Sequence, residues 1–418
     1  MLLSPNHAPA LGFRRWCRPV AALRRVLRAG AAALIALATG GAPARSAGPV
    51  AVPVDGPPFE AALVSADAEW RFVFDTGSER RALEAAELVR WGDMTEPPSG
   101  PILILADGGL VVADVFEADK DSLKADSLLL GAIRLPIEAL AGIVFQFPSQ
   151  RRARDALVDR VLGAEGNQDL AILDNGDQLA GVFEGIEDDT MDFRGAPGPT
   201  RIETHRLAAI SFNPSLRRKV AAEGPRAWVG WSDGTRLLVS RLETQGAAAR
   251  FTPPAVDSPW TARWSELRGV QVLGGRVVYL SDLEPAEYRH VPFLDLAWPY
   301  RRDRNVEGGW LRAGGRLYLK GLGMHSAARL SYALDGRARH FEAEAAIDDS
   351  TGGRGSARFR VFVDGREVAT RKVVRGGDRP APIAVPLAGA KRLDLVVDFA
   401  ERADQLDRAD WLDARVIR

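Results

Sequence analysis

Four Asp-Gly or Asn-Gly pairs divide the first two-thirds of the chain into units that are built alike. They stand at Asp55-Gly56, Asp107-Gly108, Asn175-Gly176 and Asp233-Gly234. Each pair suits the positive-φ positions of a tight hairpin, so each marks a reversal between two strands. An apolar strand precedes every pair, and a second follows, at residues 59–63, 110–115, 179–183 and 237–242. Every unit then ends on a similar closing run, at residues 82–91, 135–145, 205–212 and 264–272. A unit of this kind, repeated, implies one supersecondary motif used four times.

Short antiparallel strands in so small a unit leave exposed edges unless each copy curls up or pairs with its neighbours. In strand count and turn position the copies resemble small Sm-like or SH3-like barrels. Pairing of the copies into two larger sandwiches meets the same constraint. The turns are separated by 52, 68 and 58 residues. The long middle interval contains residues 148–164, where Ala153, Leu157, Val161 and Leu162 share one helical face and Ser149 can act as N-cap. This predicts a connector helix. Residues 213–224 predict a second short connector, and the Pro-rich residues 251–260 a loop within the fourth copy. The acidic pair Asp188-Asp189 reads as a solvated hairpin turn.

The chain has 418 residues, too many for one core, with 55 basic and 55 acidic side chains. That balance hides an asymmetry. Residues 1–47 hold seven Arg and no acid, which leaves 48 basic against 55 acidic, a net of −7. A mildly acidic body lacks the basic face that a nucleic-acid partner requires. In the N-terminal segment Arg14, Arg15, Arg18, Arg24, Arg25 and Arg28 precede the apolar residues 31–38, and Ala44 and Ala47 offer cleavage points. This pattern predicts a secretory signal peptide over 1–47, too short in its apolar core to span a bilayer, with an uncleaved N-terminal anchor as the alternative. Export would place the protein in the periplasm, on the cell surface or in the medium. Cys17, the single cysteine, would be lost with the signal.

The final third carries ordered motifs: 279–283 (YLSDL), Trp298-Pro299-Tyr300, 320–326 (KGLGMHS), 347–350 (IDDS), 358–365 (RFRVFVDG) and 408–415 (RADWLDAR). Short alternating strands punctuated by Gly and Asp suit an antiparallel sandwich with ligand-bearing loops at its ends. In this order the motifs resemble the NPCBM family of carbohydrate-binding module domains over residues 276–418. The resemblance implies a galactose-binding-like jelly-roll β-sandwich. The expected fold class is therefore all-β, with tandem small β-barrel-like repeats followed by that sandwich. The expected organisation is a signal peptide over 1–47, repeats one and two over 48–147, a connector helix over 148–166, repeats three and four over 167–275 and the sandwich over 276–418. The strand near 277–279 should pair with the last strand near 414–416.

No histidine pair has zinc-ligand spacing, and no nucleophile-elbow, phosphate-loop or dinucleotide motif occurs. Two carboxylates can hydrolyse a glycoside, but they need a deep cleft on a larger scaffold. Binding suits these residues better. A sugar is held by an aromatic face against its C–H side and by planar polar groups at its hydroxyls. Trp298, Tyr300, Trp310 and Trp411 offer faces. Asn305, His325, Asp348, Asp349, Asp410 and Asp413 offer hydrogen bonds. The candidate ligand-binding set is Trp298, Tyr300, Asn305, His325, Asp348, Asp349, Asp410 and Trp411. Plainer readings place Trp411 in the core, use His325 to cap backbone groups, and let Asp348 and Asp349 hold a structural Ca²⁺, with no other cofactor. Arg408 stands where the family pattern has His, and residues 401–405 lack the family's Gly-rich loop, which weakens the ligand inference but not the fold.

These observations point to an exported, non-catalytic glycan-binding protein, with a galactose-containing glycan as the expected partner. The alternative is a structural or protein-interaction protein of the cell envelope, whose sandwich no longer binds sugar.

Overall fold

In the computed structural model, described over residues 48–220, 224–293 and 295–418, the four turn pairs fall at equivalent hairpins. Gly56, Gly108, Gly176 and Gly234 have φ of 99°, 88°, 90° and 88°. The expected signal peptide lies outside the described residues. No helix among the described residues is long and apolar enough to cross a membrane.

The third unit shows the common plan. Its strands are Asp169–Leu173, Gln178–Glu187, Thr190–Gly195, Gly198–Glu203 and, after a 3-10 turn at Thr204–Arg206, Leu207–Ser211. They pair antiparallel in the order last, first, second, third, fourth. The other units follow suit. Their first strands Val50–Pro53, Ile102–Leu105 and Arg226–Trp231 pair with the closing strands Leu88–Gly92, Leu140–Val144 and Leu267–Leu273. Alternating side chains such as Phe72 and Phe74, or Met191 and Phe193, point into a core shared by all four units.

The units also pair with one another through their closing strands. Ile143 lies opposite Ile210, joining units two and three, and Val270 lies opposite Trp91, joining units four and one. The backbones approach so closely that a Cβ on Gly142 would sit 2.1 Å from the Ile210 carbonyl oxygen, and one on Gly92 2.0 Å from that of Arg268. Individual barrel-like units and pairing between copies thus coexist.

The connector helix spans Arg151–Leu162. Its N-cap is Gln150, not the expected Ser149, and no side chain caps it. Its buried stripe is Asp155, Val158 and Val161, whereas Ala153 is exposed. The face is rotated because Val158 and Val161 pack on Ile102, Ile104, Val144 and Trp310, and because Asp155 is drawn inward by Arg312. In the second connector, Asn213 caps a 3-10 turn at Pro214–Leu216. Asp188 and Asp189, with φ of 46° and 58°, form a hairpin turn.

Two antiparallel sheets make the sandwich. One orders Arg301–Arg302, Gly321–His325, Arg408–Ile417, His340–Ile347 and Ala381–Pro386; the other orders Glu287–His290, Ala328–Ala333, Arg392–Phe399, Ser356–Val363 and Arg366–Arg375. Val277–Tyr279 pairs with the far end of Arg408–Ile417, Val278 facing Val416, as expected. That last strand is buried along almost its whole length. Ala409 and Trp411 face the sandwich core. Asp413, with φ of 46°, then shifts the alternation so that Ala414 and Val416 face it too.

The opposite face of this strand meets the repeats. Asp413 pairs with Arg90 at 3.0 Å and accepts from Gln271 Nε2 at 3.1 Å. Nearby, Arg312 is clamped by Asp155 at 2.7 Å and Glu96 at 2.8 Å, and Arg304 by Asp159 at 2.6 Å. The described residues therefore form one compact unit.

The close approach of the closing strands should make Gly142→Ala destabilising by about 1–3 kcal/mol, since rigid backbone must move to admit one methyl group. Gly176→Ala, in an open turn, strains only the local φ. Denaturant titration of both variants measures the difference.

Candidate functional site

Strand Gly321–His325 ends at one rim of the sandwich, where His325 lies opposite Arg408. The rings of Trp298 and His325 stack with centroids 5.0 Å apart and planes 9° from parallel. His325 is buried, whereas Trp298 is only partly covered. Two further contacts hold the Trp298 segment: its N–H donates to His290 Nδ1 at 3.2 Å, and its carbonyl accepts from Tyr288 Oη at 2.7 Å. His290 Nε2 and His325 Nδ1 both face the Ser326 carbonyl, at 3.1 and 2.9 Å. A carbonyl only accepts, so both nitrogens carry the proton and His325 Nε2 is left as an acceptor. Burial holds the His325 pKa below its ordinary value, which keeps the imidazole neutral near pH 7.

Arg408 joins this rim to the neighbouring loops. It pairs with Glu307 at 2.6 Å and donates to Ser350 Oγ at 3.3 Å. Behind Ser326, Asp407 accepts from Ser326 Oγ at 2.6 Å and from the Ser356 N–H at 3.2 Å. Burial pushes its pKa up to about 6, against its two hydrogen bonds.

The remaining candidates assemble elsewhere, in a buried cluster under the 304–315 segment. Asp348 accepts from Asn305 Nδ2 at 3.0 Å, from Ser350 N–H at 2.9 Å and from Arg312 N–H at 3.1 Å. Asn305 Oδ1 binds the N–H groups of Glu307 and Gly309. Asp349 accepts from the N–H groups of Gly314 and Gly315. Asp410 is fully buried, and burial together with Asp348 and Asp349 raises its pKa well above the carboxylate range. Neither of its carboxylate oxygens has a hydrogen-bond partner among the described residues.

These positions correct three expectations. Asn305, Asp348 and Asp410 are buried, and the polar atoms of Asn305 and Asp348 are taken up by protein groups. Trp411 offers no face, because Phe341 and Phe359 pack edge-on against it at 6.2 and 5.0 Å in the core. Tyr300 leans on Tyr288 at 5.0 Å and packs against the same core. Trp298 and His325 are thus brought together, but the aromatic face and the acidic pair do not share one open pocket. Among the described residues no group of three or more His, Cys, Asp or Glu forms a metal-ligand cluster. Sequence reasoning missed His290, Tyr288 and Asp407: the first two lie only eight and ten residues before Trp298 but meet it through a loop of no regular period, and Asp407 reaches Ser326 from 81 residues away.

A family model described as NPCBM/NEW2 domain matches residues 276–417. Those residues form an NPCBM/NEW2 domain. The domain belongs to a carbohydrate-binding module family. A protein of Renibacterium salmoninarum, provisionally named an endo-alpha-N-acetylgalactosaminidase, is 36% identical over 111 residues, 27% of this chain and 7% of that protein. Alpha-1,3-galactosidase B of Akkermansia muciniphila is 30% identical over 117 residues, 27% of this chain and 15% of that protein. The chain thus matches less than a sixth of the length of either relative. Among solved structures, a CBM51 module of Clostridium perfringens GH95 in complex with methyl-galactose is 26% identical, with a TM-score of 0.31, over 34% of this chain and 99% of that one.

The raised pKa of Asp407 has a definite sign. Its contribution to stability is complete below the ordinary aspartate value of 3.8 and is lost as pH rises through about 6. Asp407→Asn should therefore gain stability relative to the native chain between about pH 4 and pH 7. Chemical denaturation of both proteins across that range checks it; a constant difference would contradict it.

Proposed function

We propose that the sandwich binds a glycan at the rim where Trp298 stacks on His325, and that the chain is a non-catalytic carbohydrate-binding protein. One observation carries this reading. A partly exposed indole is held rigid by a neutral imidazole behind its ring and by His290 and Tyr288 at its backbone. Such a preorganised flat face suits the C–H side of a pyranose, and little side-chain entropy remains to be lost on binding. Arg408, opposite His325 in the sheet, and Asp404, whose charge acts on the His325 ring, are the polar side chains we assign to the hydroxyls. The membership of residues 276–417 in a carbohydrate-binding module family supports the ligand class. The names of both relatives concern galactose-configured glycosides, so galactosides are the first ligands to test. The basic, then apolar, then small-residue order of the N-terminal segment supports export.

A second reading has its own support. Val291, Phe293 and Leu296 on the loop leading to Trp298 are exposed, and an apolar loop of this kind suits a protein partner of the envelope.

Calorimetry of the whole chain with methyl-galactoside and N-acetylgalactosamine separates the two. Trp298→Ala should cost about 1–3 kcal/mol of binding free energy while leaving the thermal transition nearly unchanged. Binding that survives both Trp298→Ala and Arg408→Ala would place the site elsewhere, and absence of sugar binding would favour the protein-interaction reading.

A further inference from the structure

A cavity of about 180 Å³ lies where the connector helix, the fourth unit and the sandwich meet, lined by Trp228, Arg236, Arg304, Trp310, Tyr318 and Lys320 among others. This is far more room than one water or a lone ion needs. Arg236 opens the strand Arg236–Val239, directly after the Asp233-Gly234 turn, and stands opposite Leu110 of the second unit. It is buried, and its guanidinium lies 4.9 Å from the centre of the Trp310 ring.

The charges around it are already committed. Glu96 and Asp155 pair with Arg312, Asp159 pairs with Arg304, and Asp282 and Asp303 pair with Lys320. Among the described residues, none of these acids comes within ion-pairing distance of Arg236. Burial, reinforced by the positive charges of Arg304 and Arg312, lowers its pKa to about 10. An unpaired buried guanidinium is costly, and the fold offers it a cation–π contact but no countercharge.

We propose that this cavity is a second binding site, selective for a sugar acid: Arg236 takes the carboxylate of a hexuronate, and Trp228 covers a face of its ring. Three features fit that ligand together. The guanidinium fork matches a carboxylate in two parallel hydrogen bonds. Trp228 is only half-buried and lines the cavity. Arg304 and Lys320 in the same walls are balanced by Asp159, Asp282 and Asp303, so among the described lining residues Arg236 is the cation left without an ion-pair partner, and a neutral sugar would leave it unanswered. The site uses no residue of the Trp298 rim and does not depend on what that rim binds.

Calorimetry of the full chain at constant ionic strength, with glucuronate and galacturonate against methyl-galactoside and sodium sulfate, tests the proposal. The uronates should bind in a one-to-one ratio, Arg236→Gln should weaken them roughly tenfold or more, and Trp298→Ala should leave them unchanged. Trp228→Ala should weaken them as well, and it carries the test alone if Arg236→Gln does not fold. The proposal is overturned if no uronate binds, if either cavity variant binds as tightly as the native chain, or if sulfate binds as tightly as a uronate. Loss of uronate binding in Trp298→Ala with no change in the cavity variants would assign the charge preference to the rim.

Discussion

Arg312 is surrounded by partners from three separate parts of the chain. Asp155 comes from the connector helix, Glu96 from the segment between the first two units, and Asp348, which receives the Arg312 backbone N–H, from the sandwich rim. Burial alone would lower the pKa of the guanidinium, but the two carboxylates more than offset it and raise it. The energetic return of such a pair over an apolar contact is small. Its geometric demand is large, because bidentate pairing fixes both distance and orientation. The helix phase follows from it, since Asp155 must point inward. The seating of Trp310 follows as well, its N–H bound to Asp155 and its ring beside Arg312 and Arg236. So does the central cavity, whose walls are the neighbours of this joint.

The acidic residues of the sandwich divide by what surrounds them. Asp348 and Asp349 each accept backbone N–H groups and shape the loops at 305–315 and 348–352. Asp413 answers Arg90 across the joint. Asp410 and Asp407 lack a cation and hold their protons upward of the ordinary range. Carboxylates that a sequence offers as ligand groups are thus mostly internal fittings, and the rim retains an aromatic face with an arginine beside it.

Much of the fold was legible because it rests on local rules. The Asp-Gly and Asn-Gly turns at Gly56, Gly108, Gly176 and Gly234 need positive φ, and alternating apolar residues need a core face. The pairing of Val278 with Val416 followed from a sandwich's need to close its edge. The helix existed where amphipathicity predicted it, yet its face was misread, because a buried aspartate paired with Arg312 looks like a solvated one in sequence. Trp298 and His325 were legible as chemistry. The hydrogen bonds that hold Trp298 were not, since His290 and Tyr288 meet its backbone through an irregular loop with no sequence period. Trp411 was ambiguous for a similar reason: the phase shift at Asp413 that puts both Trp411 and Ala414 inward leaves no mark in composition.

The pairing of closing strands is nested: units two and three join inside the span set by units one and four. A chain emerging from the ribosome therefore completes its inner pair first. Strand Leu88–Gly92 must wait until strand Leu267–Leu273 has been made. At 5–20 residues per second, that delay is roughly 10–35 s. Throughout it the first unit carries an open, apolar strand edge, the kind that invites pairing with another copy of the same chain. The order of synthesis thus sets a period of vulnerability, and passage through a membrane in the unfolded state would let all four units begin to pair together.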